Sequence, residues 1–286
     1  MEQNTPEWFE ARKGRVTASM VGAILGLAPY MSRDDAMRRM VRDYHGAPSE
    51  FTGNDATAWG THNEAGARFD FELETGISVQ QCGFFAKDDW AGASPDGLLS
   101  DSGLIEIKCP FGIRNDENPK FKTADEQPHY FAQMQFQMWV TGRMITHFWQ
   151  WTPKKTYLEV IHYSQPWIDE NLPVLRAFYD EYLKELNNQD HLAPKRKPIE
   201  TVKARQLLQE YDELTTAIEL GEARKKEIIA EFEELAGGRD ALIWGRKFTK
   251  VEKAGAVSYA KVVKDHLPGF DLEPYRGKPS SYWKLS

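Results

Sequence analysis

The run Leu104-Ile105-Glu106-Ile107-Lys108 alternates apolar and charged side chains, and Ser94-Pro95-Asp96-Gly97 lies just upstream of it. Successive side chains of a β-strand face opposite sides. Glu106 and Lys108 therefore share one face, while Ile105 and Ile107 enter a core on the other. Asp101-Ser102-Gly103 reads as the turn between two strands. Antiparallel pairing across it brings the Asp96 carboxylate beside Glu106. Two carboxylates and an amine then converge at the end of a hairpin, a hard-oxygen site suited to Mg²⁺ with a cation poised over it. Hydrolysis of a phosphodiester needs such a set, because a metal must polarise the phosphoryl oxygen and acidify a water while an amine orients that water. Without a cation the two carboxylates would repel and one would titrate upward. The plain alternative is an exposed hairpin carrying an ordinary Glu–Lys pair.

The rest of the chain predicts an α/β fold with a central mixed β-sheet flanked by helices. A helix-rich opening covers 6–25, with a turn at Thr17-Ala18-Ser19. Ser32 caps a second helix through Tyr44, and a Gly/Pro/Ser-rich loop spans 46–57. A third helix runs from Ala58 to Thr75, with Ala65, Phe69 and Leu73 as its apolar stripe and Gly76 past its end. Strands are expected at 83–86, 91–99 and 103–109, a helix at 128–140, strands at 145–152 and 157–163, and a helix at 165–187. A break at 187–198 separates a domain over 1–190 from an extension over 195–286. That extension is read as a long helix, kinked or folded into a hairpin at Gly221 and Lys225, followed by a small strand-and-helix lobe. Leu207, Tyr211, Leu214, Ile218, Ile228, Phe232 and Leu235 follow the alternating three- and four-residue spacing of a helical stripe.

The net charge of −7 disfavours a protein that coats DNA nonspecifically. It divides into −10 over residues 1–194 and +3 from Lys195 onward. Residues 239–264 hold seven basic side chains against Asp240 and Glu252, so the extension is a candidate for phosphate contacts or, more plainly, a solvated lobe serving packing or partner docking. Cys82 and Cys109 are too few for a disulfide framework or a four-cysteine metal site, and a reducing, cytoplasmic setting is expected. His62, His129, His147 and His162 are scattered, which disfavours zinc. No Walker-type loop, no Gly-x-Ser-x-Gly elbow, no signal peptide and no membrane-length apolar run is present.

Pro95-Asp96 followed by Glu106-Ile107-Lys108 resembles the signature of the PD-(D/E)XK nuclease superfamily. Further blocks occur in order: Trp8 with Ala11-Arg12, Val16-Thr17-Ala18-Ser19, Trp59-Gly60 with Glu64, Ser94 to Leu98, Glu106 to Pro110, and Tyr130 to Gln135 with Met138 to Thr141. Together they resemble the phage lambda exonuclease and YqaJ-type viral recombinase family over about residues 5–185.

The resemblance implies a restriction-endonuclease-like core and a Mg²⁺-dependent 5′-to-3′ exonuclease on linear double-stranded DNA, with Mn²⁺ able to substitute. Asp96, Glu106 and the backbone carbonyl of Ile107 would hold the metal, Lys108 would position the attacking water, and Glu64 and Gln133 would complete the site, Glu64 as a possible further ligand. Arg12, helped by Ser19, would receive a terminal 5′-phosphate. Family members are ring-shaped trimers of phage or prophage origin that leave 3′ single strands for a strand-annealing recombinase, so a homo-oligomer and such a partner are expected. A structure-specific or restriction-type endonuclease and a non-catalytic DNA-binding scaffold are the alternatives. From the residues alone, the face carrying Tyr130, Gln133 and Gln137 could meet solvent or a site, and the basic cluster around Arg12 could be a solvated face.

Overall fold

Thr5 accepts a hydrogen bond from the Trp8 amide, and Pro6 occupies the first helical position, where its missing N–H costs nothing. Helix α1 (Pro6–Arg12) follows, then β1 (Val16–Thr17) and α2 (Ala18–Ile24). Ser32 and Asp35 form a capping box at the start of α3 (Arg33–Tyr44). A second capping box, between Asn54 and Thr57, starts α4 (Asp55–Thr75), and Gly76 ends it in the left-handed conformation at φ +70°. Then come β2 (Phe85–Lys87), β3 (Ala91–Ala93), β4 (Gly97–Leu98), β5 (Gly103–Lys108), α5 (Pro128–Thr141), β6 (Ile145–Thr152), β7 (Lys155–His162) and α6 (Gln165–Glu185). Beyond these lie α7 (Val202–Leu235), β8 (Ala241–Ile243), β9 (Arg246–Phe248) and α8 (Tyr259–His266). This computed structural model describes residues 3, 5–99, 103–194, 199–252, 255, 258–267, 270–271, 273–283 and 285. It divides into two units, Met1–Pro198 and Ile199–Ser286.

In the first unit a four-stranded mixed sheet runs in the order β4-β5-β6-β7, with β5 and β6 parallel and the outer pairs antiparallel. Helix α5 covers one face, packing Met134 and Met138 on Leu104, Phe148 and Ile161. Helix α4 covers the other, where Ala67 and Phe71 meet Ile105, Ile107 and Trp149. The Trp149 indole donates to the Ala67 carbonyl at 2.8 Å, so its polar edge is satisfied inside the core. A third cluster joins α2, α3, α5 and α6 through Val21, Met40, Phe136 and Phe178. Arg42 fastens the chain after α6 to α3 by donating to the His191 and Leu192 carbonyls.

Several expectations are corrected. Ala65, Phe69 and Leu73 are not the buried stripe of α4: Phe69 is 63% and Leu73 73% exposed, and the helix buries only a narrow seam at Ala67 and Phe71. The helix also starts earlier, at Asp55, because the Asn54 box caps it there. Residues 91–99 do not form one strand. Ser94–Asp96 breaks the run, and β3 pairs in a separate sheet with β1 (parallel) and β2 (antiparallel). Val16–Thr17, expected at the edge of a turn, is thus a short strand. Helix α7 is continuous for 34 residues, so the chain does not fold into a hairpin at Gly221 or Lys225. One interior glycine costs a helix only about 1 kcal/mol, and the Arg224–Glu227 and Lys225–Glu222 pairs span that region. The Asp101-Ser102 part of the expected turn and Lys195–Pro198 of the expected boundary lie outside the described residues.

Helices α2 and α5 cross at Gly22, where an added Cβ would lie 2.7 Å from the His129 Cβ and 3.1 Å from its Cα. Part of that obstacle is backbone, so the helices must separate to admit a methyl group. Gly22→Ala is expected to cost about 1–3 kcal/mol, seen as a lower urea midpoint at unchanged slope.

Candidate active site

The register of β4 on β5 sets Gly97 opposite Ile105. Asp96, one residue before β4, therefore stands level with Glu106 and Ile107. Its Oδ2 accepts the Ile107 amide N–H at 2.6 Å. Glu106 is 1% exposed, and its carboxylate is fully engaged. Oε1 accepts from Gln133 Nε2 at 2.6 Å and from Lys108 Nζ, and Oε2 accepts from Gln137 Nε2 at 2.7 Å. The Lys108 ammonium lies 5.0 Å from the centre of the Tyr130 ring. Both charges sit on the α5 face of the sheet, while Ile105 and Ile107 point to α4, as the strand alternation requires. An exposed hairpin with an ordinary ion pair is thereby excluded.

Burial pushes the Asp96 carboxyl well above the usual carboxylate range, and the neighbouring Glu106 charge pushes it further; Lys108 and the Ile107 amide oppose this only in part. Lys108 behaves in the opposite way. Burial alone would lower its pKa, but Glu106 and Asp96 outweigh burial and hold the ammonium charged. Helix α4 brings Glu64 to the same region. It stands three and seven residues before Ala67 and Phe71, on the inward face rather than beside an apolar stripe, and is half-buried. Its carboxyl is raised by burial and by Glu106, with Lys108 and Arg68 opposing.

Among the described residues no three acidic, histidine or cysteine side chains converge closely enough to enclose an ion. Glu64 thus lies within electrostatic reach of the Asp96–Glu106 pair without completing a cage. The pair still fits Mg²⁺, which keeps several waters and is typically held by one or two carboxylates together with substrate phosphate. A divalent cation would also relieve the buried like charges that raise Asp96.

Arg12 stacks its guanidinium 3.9 Å from the centre of the Trp8 ring, and the Trp8 indole donates to Ser94 Oγ at 2.9 Å. Arg12 is thereby tied, through one aromatic residue, to the segment that leads into Asp96. Among the described residues no carboxylate lies within ion-pairing distance of it. Burial and the nearby Arg39 lower its pKa to about 10, offset only partly by Asp43. An incompletely compensated cation of this kind favours an anion. Ser19 is exposed, with its Oγ 3.4 Å from Thr17 Oγ1, and among the described residues no hydrogen bond joins it to Arg12.

Residues 7–144 match the model of the YqaJ-like viral recombinase domain. The crystal structure of an alkaline exonuclease from Laribacter hongkongensis is 32% identical, with a TM-score of 0.54, over 66% of this chain and 98% of that one. The chain belongs to the YqaJ-like viral recombinase family. The same Laribacter enzyme in complex with dAMP gives the same identity, coverage and TM-score. A phage-related exonuclease from Haemophilus somnus 129PT is 18% identical, with a TM-score of 0.47, over 63% of this chain and 99% of that one. No curated protein matches. The span matched by the YqaJ-like model holds Arg12, Ser19, Glu64, Asp96, Glu106, Lys108 and Gln133, and excludes the second unit.

Sequence reasoning left Gln137 without a role. It is fully buried, and turning its amide nitrogen toward Glu106 leaves its Oε1 without a partner. Its position one helical turn after Gln133 was the available signal. Tyr30 was also missed. It is 65% exposed, with its ring edge-on to His129 at 5.7 Å, and the next ring along is Tyr130 beside Lys108. Nothing in the pattern around Tyr30 predicts that neighbourhood. Gln137→Leu strands one carboxylate oxygen in the core and is expected to cost about 1–3 kcal/mol in chemical denaturation.

Proposed function

We propose that the chain is a Mg²⁺-dependent exonuclease that digests the 5′-ended strand of linear double-stranded DNA and leaves 3′ single strands. The convergence of half-buried Asp96 and Lys108 on the buried Glu106 under α5 carries this reading. A bound Mg²⁺, or Mn²⁺ in its place, supplies the positive charge that polarises the scissile phosphate and lowers the pKa of an attacking water. Asp96 and Glu106 hold the cation, with the Ile107 carbonyl and Glu64 as candidates for further oxygen contacts. Gln133 and Gln137 fix the rotamer of Glu106, and Lys108 donates to the water or to the developing charge on phosphate. Arg12 receives the terminal 5′-phosphate, and Ser19 assists it. A group dedicated to a 5′-phosphate serves an enzyme that starts at ends, which separates this reading from an endonuclease of the same superfamily. By family likeness the enzyme works as a ring-shaped trimer, comes from a phage or prophage, acts in the cytoplasm and hands its product to a strand-annealing recombinase.

The test is digestion of end-labelled linear duplex, with and without a 5′-phosphate, in Mg²⁺ and in chelator, beside covalently closed circles. Linear DNA should disappear only with metal and circles should persist. Prompt cutting of closed circles would assign an endonuclease. Arg12→Ala should slow digestion of 5′-phosphorylated ends about 10–100-fold, and should slow 5′-hydroxyl ends much less. Equal losses on both ends would remove the phosphate role from Arg12.

A further inference from the structure

The second unit carries a feature that the catalytic geometry does not use. Strands β8 and β9 form a hairpin in the register Ile243↔Arg246, joined by the two residues Trp244 and Gly245. Both have positive φ, +46° and +81°, the backbone of the primed hairpin turns that favour Asn-Gly or Gly-Gly. A bulky side chain in this region is strained, and unusual backbone of this kind points toward function. Trp244 gains no packing in return. It is 102% exposed, and no ring contact to it occurs among the described residues. The base of the hairpin is anchored, by contrast, with Phe248 packing on Phe232 of α7 at 6.0 Å.

The hairpin that carries that indole is basic. Arg246 and Lys247 follow the turn, Arg239 precedes the hairpin and Lys250 follows it. None of the four has a carboxylate within ion-pairing distance among the described residues. The one acidic group within the hairpin's immediate sequence, Asp240, accepts the Lys250 amide N–H and so caps backbone. An exposed aromatic face beside uncompensated cations is the arrangement that binds single-stranded nucleic acid, with the ring stacking on a base and the cations following the phosphates. A docking site for an apolar protein surface would have no use for four unpaired cations.

We propose that the β8–β9 hairpin binds an unpaired DNA strand, with Trp244 stacking on a base and Arg246 and Lys247 contacting the flanking phosphates. In the reaction proposed above, such a strand is the one left behind by digestion. The inference takes from that reading only that the protein meets DNA, so it can be tested without cleavage.

The experiment measures fluorescence anisotropy of a labelled 20-nucleotide oligothymidine with the full chain in chelator, across a range of salt. Trp244→Asn is the informative variant, because asparagine suits the turn and leaves the hairpin intact or better formed. It should weaken single-strand binding about ten-fold or more, with Trp244→Phe retaining most of the affinity. The Arg246→Ala/Lys247→Ala double variant should reduce the slope of log K against log salt by about 1.4. Unchanged affinity in Trp244→Asn, or an equal loss on blunt duplex, would overturn the proposal. So would an unchanged salt slope in the double variant. Failure of the nuclease reading would show separately, as linear duplex surviving Mg²⁺ while the oligonucleotide still binds.

Discussion

Asp96→Asn is expected to lower Mg²⁺-dependent cleavage about 10³-fold, the equivalent of several kcal/mol of lost charge stabilisation, and to raise the melting temperature of the metal-free protein at pH 8. The second effect follows from the pair's geometry. Asp96 is held above the ordinary range by burial and by Glu106. Its folded pKa therefore exceeds its unfolded value of about 3.9, and the folded state binds more protons than the unfolded one between those limits. Stability contributed by this group is present below pH 4 and is lost as the pH rises through the folded pKa. Asparagine carries no charge, so the gain should be full at pH 8 and fade toward pH 4. Lys108→Met should abolish turnover as thoroughly but shift stability the other way, because Glu106 loses its cation while remaining 1% exposed. Thermal melts of both variants in chelator at pH 4 and 8 decide the matter. Matching signs at pH 8 would contradict the electrostatic account of the site.

Phe71→Ala should be the most damaging change outside the site. Phe71 is fully buried and meets Trp149 edge-to-face at 5.4 Å and His147 at 5.8 Å. Truncating a buried phenylalanine costs about 3–5 kcal/mol, a large part of the roughly 5–15 kcal/mol that stabilises a domain. The same seam holds α4 on the sheet and thus places Glu64, so the variant should lose activity beyond its loss of folded protein. Urea midpoints and activity per folded molecule measure the two effects separately.

The facing of Glu106 and Lys108 was legible in the sequence because a period of two leaves one assignment of faces once Ile105 and Ile107 are in the core. Capping positions such as Ser32, and glycine stops such as Gly76, were legible because their chemistry is local. Helix α4 was misread for the same reason that β5 was read well. Apolar side chains at helical spacing imply a buried stripe, yet Phe69 and Leu73 face out. What selects Ala67 and Phe71 is the close approach of β5 and β6, which no pattern within α4 encodes. The break at Ser94–Asp96 was hidden for a related reason. Contacts from Gln3 to the Pro95 carbonyl and from Trp8 to Ser94 shape it, and they come from far away in the chain. Gln133 reached its place through the family likeness, while from residues alone its helix face stayed ambiguous between solvent and site.

The pairing of β5 with β6 has a consequence for how this activity comes into being. The strand bearing Glu106 and Lys108 joins its parallel neighbour in the register Gly103↔Ile145, and the intervening helix must already be in place for Gln133 and Gln137 to reach the carboxylate. Contacts of such sequence separation form late, after the entropy of closing a long loop has been overcome. A chain still emerging from the ribosome therefore holds Glu106 and Lys108 on a strand not yet joined to β6, and the proposed site is assembled only with the finished sheet.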